Sequence, residues 1–393
     1  MTKIIKSLKS IITDLIIKLA RRKMILNFDE YCVGEPTKKA LLTFLAIPLL
    51  LPPVFRDRVR FSLRGMAQEI PRVLNELGYR VDVVNFDNIS WKPKEKYDLF
   101  IGHGGINFEK ISRSLPKEVI RIYLSTGIYW KEWNFRIAKR LYDVALRQAF
   151  LLKPERFIKY SEEYANKNSD AIICLGNQEA VKTYSNFKNV FGINTAFYPI
   201  KKEIEFKKNF ATGRQHFLFF SGGGNVHKGL DLLLESFNGM NLHLHVCQTI
   251  QDDFFKLYSQ ELTQLPNIHM HGFIKMRSEQ FIRLINKCNW VISASCAEGQ
   301  PGAIVECMAY GLIPILSDWN NIDLENWGIR LENCNLLTIR SVLEEVSTMD
   351  VEECRLRSEA VIKTVKQKYS VQIFRENLSK ALKEILNVSP PKN

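Results

Sequence analysis

Apolar runs of strand length recur along the chain, and most are followed by a glycine-bearing or polar turn and then by a stretch with helical periodicity. Such alternation marks parallel sheets wound with helices. The longest apolar stretch, 39–54 around ALLTFLAIPLLLPPV, holds Pro48, Pro52 and Pro53 and is too short for a membrane span. It reads as a buried first strand and its exit loop. Residues 65–77 read as a helix, RVDVVNF (80–86) as a strand, and YDLFIGHGG (97–105) as a strand closed by a glycine turn. IRIYLSTGIYW (120–130) and SDAIICLGN (169–177) continue the series, with a helix from Gln178. Residues 199–214, PIKKEIEFKKNFATGR, carry no period and read as a linker. A second set of strands follows in HFLFF (216–220), LHLHVCQT (242–249), NIHMHGFI (267–274), 290–294 and 312–316, with helices near Lys228 and over 279–289. A last helix spans 370–386, and NVSPPKN after it is expected to fray.

The pattern at the start of the chain is different. Ile4, Ile5, Leu8, Ile11, Ile12, Leu15, Ile16 and Leu19 fall within an arc of roughly 140° on a helical wheel, opposite Lys3, Lys6, Lys9, Lys18 and Arg21. This is a basic amphipathic helix. It suits contact with an anionic membrane surface through residues 1–23, or packing against the second domain. Charge sharpens the picture: residues 1–150 hold 27 basic and 15 acidic side chains, while 151–393 hold 28 and 27. The net +13 of the chain therefore belongs to its first half, which points to an anionic partner. No nucleic-acid motif accompanies the charge, so nucleic acid is not expected. The eight cysteines are scattered without a CxxC pair, which argues for reduced thiols in the cytoplasm and against a zinc site or disulfide framework.

Candidate chemistry concentrates in 290–318, WVISASCAEGQPGAIVECMAYGLIPILSD. A strand leads into a polar turn, Pro301 opens a helix, Gly311 closes it, and the next strand begins. Glu298 stands in the turn, at the carboxyl end of a strand where open α/β sheets bind ligands. Glu306 stands within the helix among Ala303, Ile304, Val305, Cys307, Met308 and Ala309. A carboxylate in such surroundings needs a partner, either ligand hydroxyls or a neighbouring Arg or Lys. The helix start after Gly299 and Gly302 offers N–H groups to a phosphate. The turn SGGGNVHKG offers another anion cradle: Gly222, Gly223 and Gly224 allow close backbone approach, and Lys228 supplies charge. No D-x-D stands at a strand end, and Asp252-Asp253 reads as a helix cap, so no metal is expected.

EGQPGAIVECMAYGLIPILSD resembles the donor-binding signature of the retaining family 4, or group 1, glycosyltransferases, E-G-x-P-x-x-x-x-E-x-M-A-x-G-x-P, and HKGLDLLLESF resembles their K-G-x-x-x-L-x-x-A-F stretch. The resemblance implies a GT-B fold: two Rossmann-like doubly wound α/β domains facing a central cleft, with a C-terminal helix returning to the first. The chain then divides into a basic helix over 1–28, an acceptor domain over 29–200, a donor domain over 201–369, and a crossover helix and tail over 370–393. It further implies metal-independent, retaining transfer of a sugar from a UDP- or GDP-linked donor to an acceptor hydroxyl, with no cofactor. In that scheme Glu298 holds hydroxyls of the transferred sugar, and Glu306 takes the ribose. Lys228, His227 and the amides of Gly222 to Gly224 and of Gly299, Gln300 and Gly302 meet the diphosphate, with Pro301 part of the same donor-binding turn. Gly272, Phe273 and Ile274 touch the base. His103 in IGHGG is a candidate for an acceptor hydroxyl or the donor sugar. The family's usual histidine position holds Ser125, Thr126 and Gly127, and its donor-loop arginine is a glycine here. The basic first half and the basic amphipathic N-terminus suggest a lipid-linked saccharide acceptor at the inner face of the cell membrane, in cell-surface polysaccharide or lipopolysaccharide assembly. The rivals are a nucleotide-sugar epimerase of the same fold and a degenerate transferase serving as a membrane-bound scaffold.

Overall fold

The computed structural model describes residues 22–56, 62–199 and 208–388. The amphipathic helix expected at the start of the chain, the middle of the linker at 200–207 and the tail at 389–393 lie outside the described residues.

Seven strands form the first sheet: β1 (Met24–Phe28), β2 (Lys38–Phe44), β3 (Tyr79–Asn85), β4 (Leu99–Gly102), β5 (Ile120–Ser125), β6 (Ala171–Leu175) and β7 (Val190–Ile193). Their order is β1-β3-β2-β4-β5-β6-β7, all parallel except β1. The continuous apolar character of β2, β4 and β6 matches burial on both faces. β1 corrects the expectation that 1–28 is one helical segment. Met24–Phe28 instead pairs with β3, whose edge would otherwise leave its backbone groups open, and the Asp82 carboxylate accepts the Asn27 N–H at 2.7 Å. The expected exit loop after β2 is likewise two short helices, Ile47–Leu50 and Pro53–Arg56, with Pro48 in a first turn where its missing N–H is harmless.

The second sheet comprises β8 (His216–Phe220), β9 (His243–Cys247), β10 (Ile268–Met270), β11 (Trp290–Ser293), β12 (Ile313–Ser317) and β13 (Ile329–Leu331), in the order β10-β9-β8-β11-β12-β13 and parallel throughout. Asp252 and Asp253 lie in the first turn of the helix Asp252–Leu257, one place inside its cap, Gln251. Five of the seven histidines cross β8 to β10 as hydrogen-bonded or stacked rings, among them His216 to His245 at 3.1 Å and His245 to His271 at 3.0 Å. Burial lowers their basicity, His216 to about 4.

The two sheets present their carboxyl ends to one cleft. The helix Val371–Val388 returns to the first domain, where Phe374, Leu378, Leu382 and Ile385 join Met66, Ile70 and Val73 in one core. Each such side chain contributes about 1.5–3 kcal/mol when fully buried. Elsewhere the seam between domains is mixed, with Ile137, Leu141 and Leu152 in one buried cluster with Val226 and Leu230, and polar ties beside them. Arg147 reaches Asp231 at 2.6 Å and Glu235 at 2.9 Å, and Arg140 donates to the Ala294 carbonyl at 3.0 Å.

Candidate active site

The turn after β11 carries Glu298 into the cleft wall, where it is 5% exposed. Three donors converge on its Oε1: the Ser295 hydroxyl at 2.8 Å, the His227 Nε2–H at 3.1 Å and the Lys228 ammonium. Burial pushes this carboxyl up, but Lys228 and His227 outweigh it and hold the group well below the usual carboxylate range. Burial keeps His227 neutral, down to about 4, against the opposing pull of Glu298. Its Nδ1 is buried without a partner, and its ring packs on Trp133 of the first domain with centroids 4.9 Å apart. The arrangement is a permanently ionised carboxylate beside an ammonium, both facing the cleft.

The cleft encloses about 490 Å³ between the domains. It brings together His103, Gly222, Lys228, Glu298 and the run Gly299, Gln300, Pro301 and Gly302. Gly299 is glycine for a steric reason, since a β-carbon there would lie 2.3 Å from the Thr126 carbonyl oxygen and 2.9 Å from that of Leu175. The donor-side turn thus touches bare backbone of the first domain. Gln300 adds a second tie, accepting the Thr195 N–H at 2.7 Å and donating to Asn194 at 3.0 Å. Pro301 caps the helix Gly302–Ala309 rather than serving as its first residue. Phe273 and Ile274 sit apart from this chamber, in an adjoining apolar recess that shares Gly222, Phe220 and Ser62 with it. Gly272, Gly223, Gly224, His227 and Glu306 line neither space.

Glu306 is met by a neighbouring cation, the second of the two partners its burial allowed. Arg277 grips both carboxylate oxygens, one at 3.0 Å, and also donates to the Tyr198 carbonyl at 2.7 Å. Burial lifts the Glu306 carboxyl and Arg277 limits the rise. Arg277 follows NIHMHGFI closely in sequence and lies beyond Met276 of the apolar recess, so the pair borders the region assigned to the nucleotide.

His103 stands after β4 as expected, with Nδ1 2.9 Å from the Leu124 carbonyl. That carbonyl can only accept, so Nδ1 carries the proton and Nε2 is an acceptor. Burial lowers its basicity and keeps it neutral. Two cleft residues carried no sequence signal. Arg156 has a left-handed backbone, φ 61°, its carbonyl accepts from Trp133 Nε1 at 2.8 Å, and its stem lies where a β-carbon on Gly224 would come within 2.8 Å. It thus stands over the glycine turn from the opposite domain. Glu162, only 8% exposed, lines the same chamber.

Two parallel-sheet Rossmann-like domains with a shared cleft and a C-terminal helix crossing back make up the GT-B fold. Residues 201–323 match the family "Glycosyl transferases group 1". Solved structures agree in fold. A mutant of S. aureus TarM in complex with fondaparinux, alpha-GlcNAc-glycerol and UDP aligns with TM-score 0.53 at 15% identity, over 74% of this chain and 55% of that one. Sucrose-phosphate synthase from Thermosynechococcus elongatus aligns with TM-score 0.60 at 12% identity, over 89% and 99%. WaaG, a glycosyltransferase involved in lipopolysaccharide biosynthesis, aligns with TM-score 0.53 at 13% identity, over 88% and 99%. The chain thus spans about half the length of TarM and nearly the whole of the other two. No curated protein sequence matches it.

Proposed function

We propose that the protein moves a sugar from a UDP- or GDP-linked donor to a hydroxyl of a saccharide acceptor, with retention at the anomeric carbon and without a metal. The observation that carries this is the pair Lys228 and Glu298 on one wall of the interdomain cleft beside a glycine turn, with His227 buried behind them on the same carboxylate. Charge develops on the diphosphate as the sugar leaves, and a fixed cation there stabilises it most in a water-poor site. Lys228 is that cation, and Arg156 faces the same turn from the first domain. Glu298 stays ionised and accepts hydroxyls of the transferred sugar. The diphosphate oxygen takes the acceptor proton, so no separate base is needed. A UDP-bound relative of the same fold supports the donor class.

Calorimetric titration with UDP and with GDP tests the donor assignment. One of them is expected to bind with micromolar affinity, and no heat with either would sink the reading.

The acceptor is proposed to be lipid-linked, in cell-surface polysaccharide or lipopolysaccharide assembly, with the enzyme peripheral on the inner face of the membrane. The basic, amphipathic stretch 1–23 supports this, and one relative works in lipopolysaccharide biosynthesis. No helix among the described residues is long and apolar enough to cross a membrane. Vesicles containing anionic phospholipid should therefore bind the full chain, and deletion of 1–23 should reduce binding by about tenfold or more, at about 1 kcal/mol for each basic residue at the surface. Equal binding by both chains would rule the anchor out.

A further inference from the structure

Glu162 sets a different problem from the other buried carboxylates near the cleft. Glu298 has Lys228, Glu306 has Arg277, and the adjacent Glu163 has Lys131 and Lys167. No ion pair among the described residues reaches Glu162, whose polar neighbour is the Tyr123 hydroxyl. A carboxylate that is 8% exposed and unmatched by a cation either holds a proton or waits for donors from a ligand.

Its position favours the ligand. The turn after β4 is pressed onto this residue: a β-carbon on Gly105 would lie 2.5 Å from the Ser161 carbonyl oxygen and 3.2 Å from the Glu162 Cα. Glu162 and His103 therefore belong to one wall of the chamber, built by the first domain. His103 spends its only N–H on the Leu124 carbonyl and shows Nε2 as an acceptor. Two acceptors with no cation beside them suit neither a phosphate nor a carboxylate. They suit hydroxyl groups. The cations of the chamber, Lys228 and Arg156, lie by the glycine turn, where the diphosphate is placed.

We infer that Glu162 receives a hydroxyl of the acceptor saccharide, with His103 on the same wall, and so forms the acceptor subsite. The inference rests on the transferase reading above and adds to it the residue that selects a polyol over water. Ionised, the carboxylate accepts the hydroxyl hydrogen bond; protonated, it loses half of that capacity. Burial lifts this group to about 7, with the Tyr123 hydroxyl opposing. Of the titratable groups around it, Tyr123 of β5 and Tyr184 are neutral, burial pushing their hydroxyls up further, while at the adjacent Glu163 burial is outweighed by Lys167, Tyr129 and Lys131, which lower the carboxyl to about 2.

The test compares wild type with Glu162→Gln, which preserves volume, and with Glu162→Asp, which preserves charge, after melting curves establish that each folds. UDP and GDP affinity is measured by calorimetry. Transfer from UDP- and GDP-sugars is followed with octyl glycosides and, in their absence, with water as acceptor. Glu162→Gln should bind nucleotide within twofold of wild type and lose at least 30-fold in kcat/KM for the octyl glycoside, with Glu162→Asp intermediate. Wild-type transfer should rise with pH through about 7, and Glu162→Gln should lack that rise. Transfer by Glu162→Gln within threefold of wild type, or loss of nucleotide binding along with transfer, overturns the inference and leaves the transferase reading standing. So does a wild type that binds nucleotide but passes sugar to neither acceptor. A wild type that binds neither nucleotide overturns the transferase reading, and this one with it.

Discussion

Lys228→Ala is expected to lower donor turnover by about 10²–10³-fold, the loss typical of removing one fixed stabiliser of developing charge, about 2.7–4 kcal/mol. Lys228 is the ammonium on Glu298 within the cleft, so its removal does two things at once. The diphosphate loses its cation, and the Glu298 carboxylate, 5% exposed, is left with only Ser295 and neutral His227. The second effect raises the Glu298 carboxyl, because burial is the strongest influence on it and Lys228 the strongest opponent. Turnover measured from pH 5 to 8 separates the two. The variant should lose activity further on acidification as Glu298 takes up a proton, whereas wild-type Glu298 stays ionised over that range. A variant as active as wild type at every pH would remove Lys228 from the mechanism.

The second large effect concerns stability. Arg277→Ala leaves Glu306, 4% exposed, without its cation, and breaking a buried pair from one side costs about 3–5 kcal/mol. For a domain of this size that is a fall of roughly 10 °C in Tm. The same variant tests whether Glu306 also serves the ribose. If nucleotide hydroxyls reach the bared carboxylate, saturating UDP or GDP should raise Tm by several degrees more in Arg277→Ala than in wild type, since a ligand stabilises by its affinity for the folded state. Equal shifts in both chains would confine Glu306 to the pair with Arg277.

That pair shows where reading the sequence succeeds and where it stops. The signature around Glu298 is contiguous, so residue order alone places strand, turn, helix and carboxylates, and β11, β12 and the helix Gly302–Ala309 lie within a residue or so of expectation. The need of Glu306 for a partner also follows from its apolar neighbours. Which partner does not follow, because Arg277 lies 29 residues away and only the sheet brings it near. Arg156 and Glu162 are harder still. They come from an irregular stretch between helices, Trp130–Gln148 and Glu163–Asn168, where no period constrains direction, and what they face is set by distant elements, Gly224 for Arg156 and the turn after β4 for Glu162. β1 escaped for another reason: Met24–Phe28 is half exposed, lies next to a charged amphipathic run, and owes its extended form to an edge elsewhere in the chain. β13, at three residues, is too short to leave a pattern.

The helix Val371–Val388 follows the whole second domain in sequence but completes the core begun by β2 and the helix Ser62–Glu76. On the ribosome, then, the first domain emerges early and keeps an apolar flank open while the entire second domain is synthesised. Truncation or proteolysis within this helix would therefore injure the first domain, the one farther away in sequence, and leave the second sheet intact.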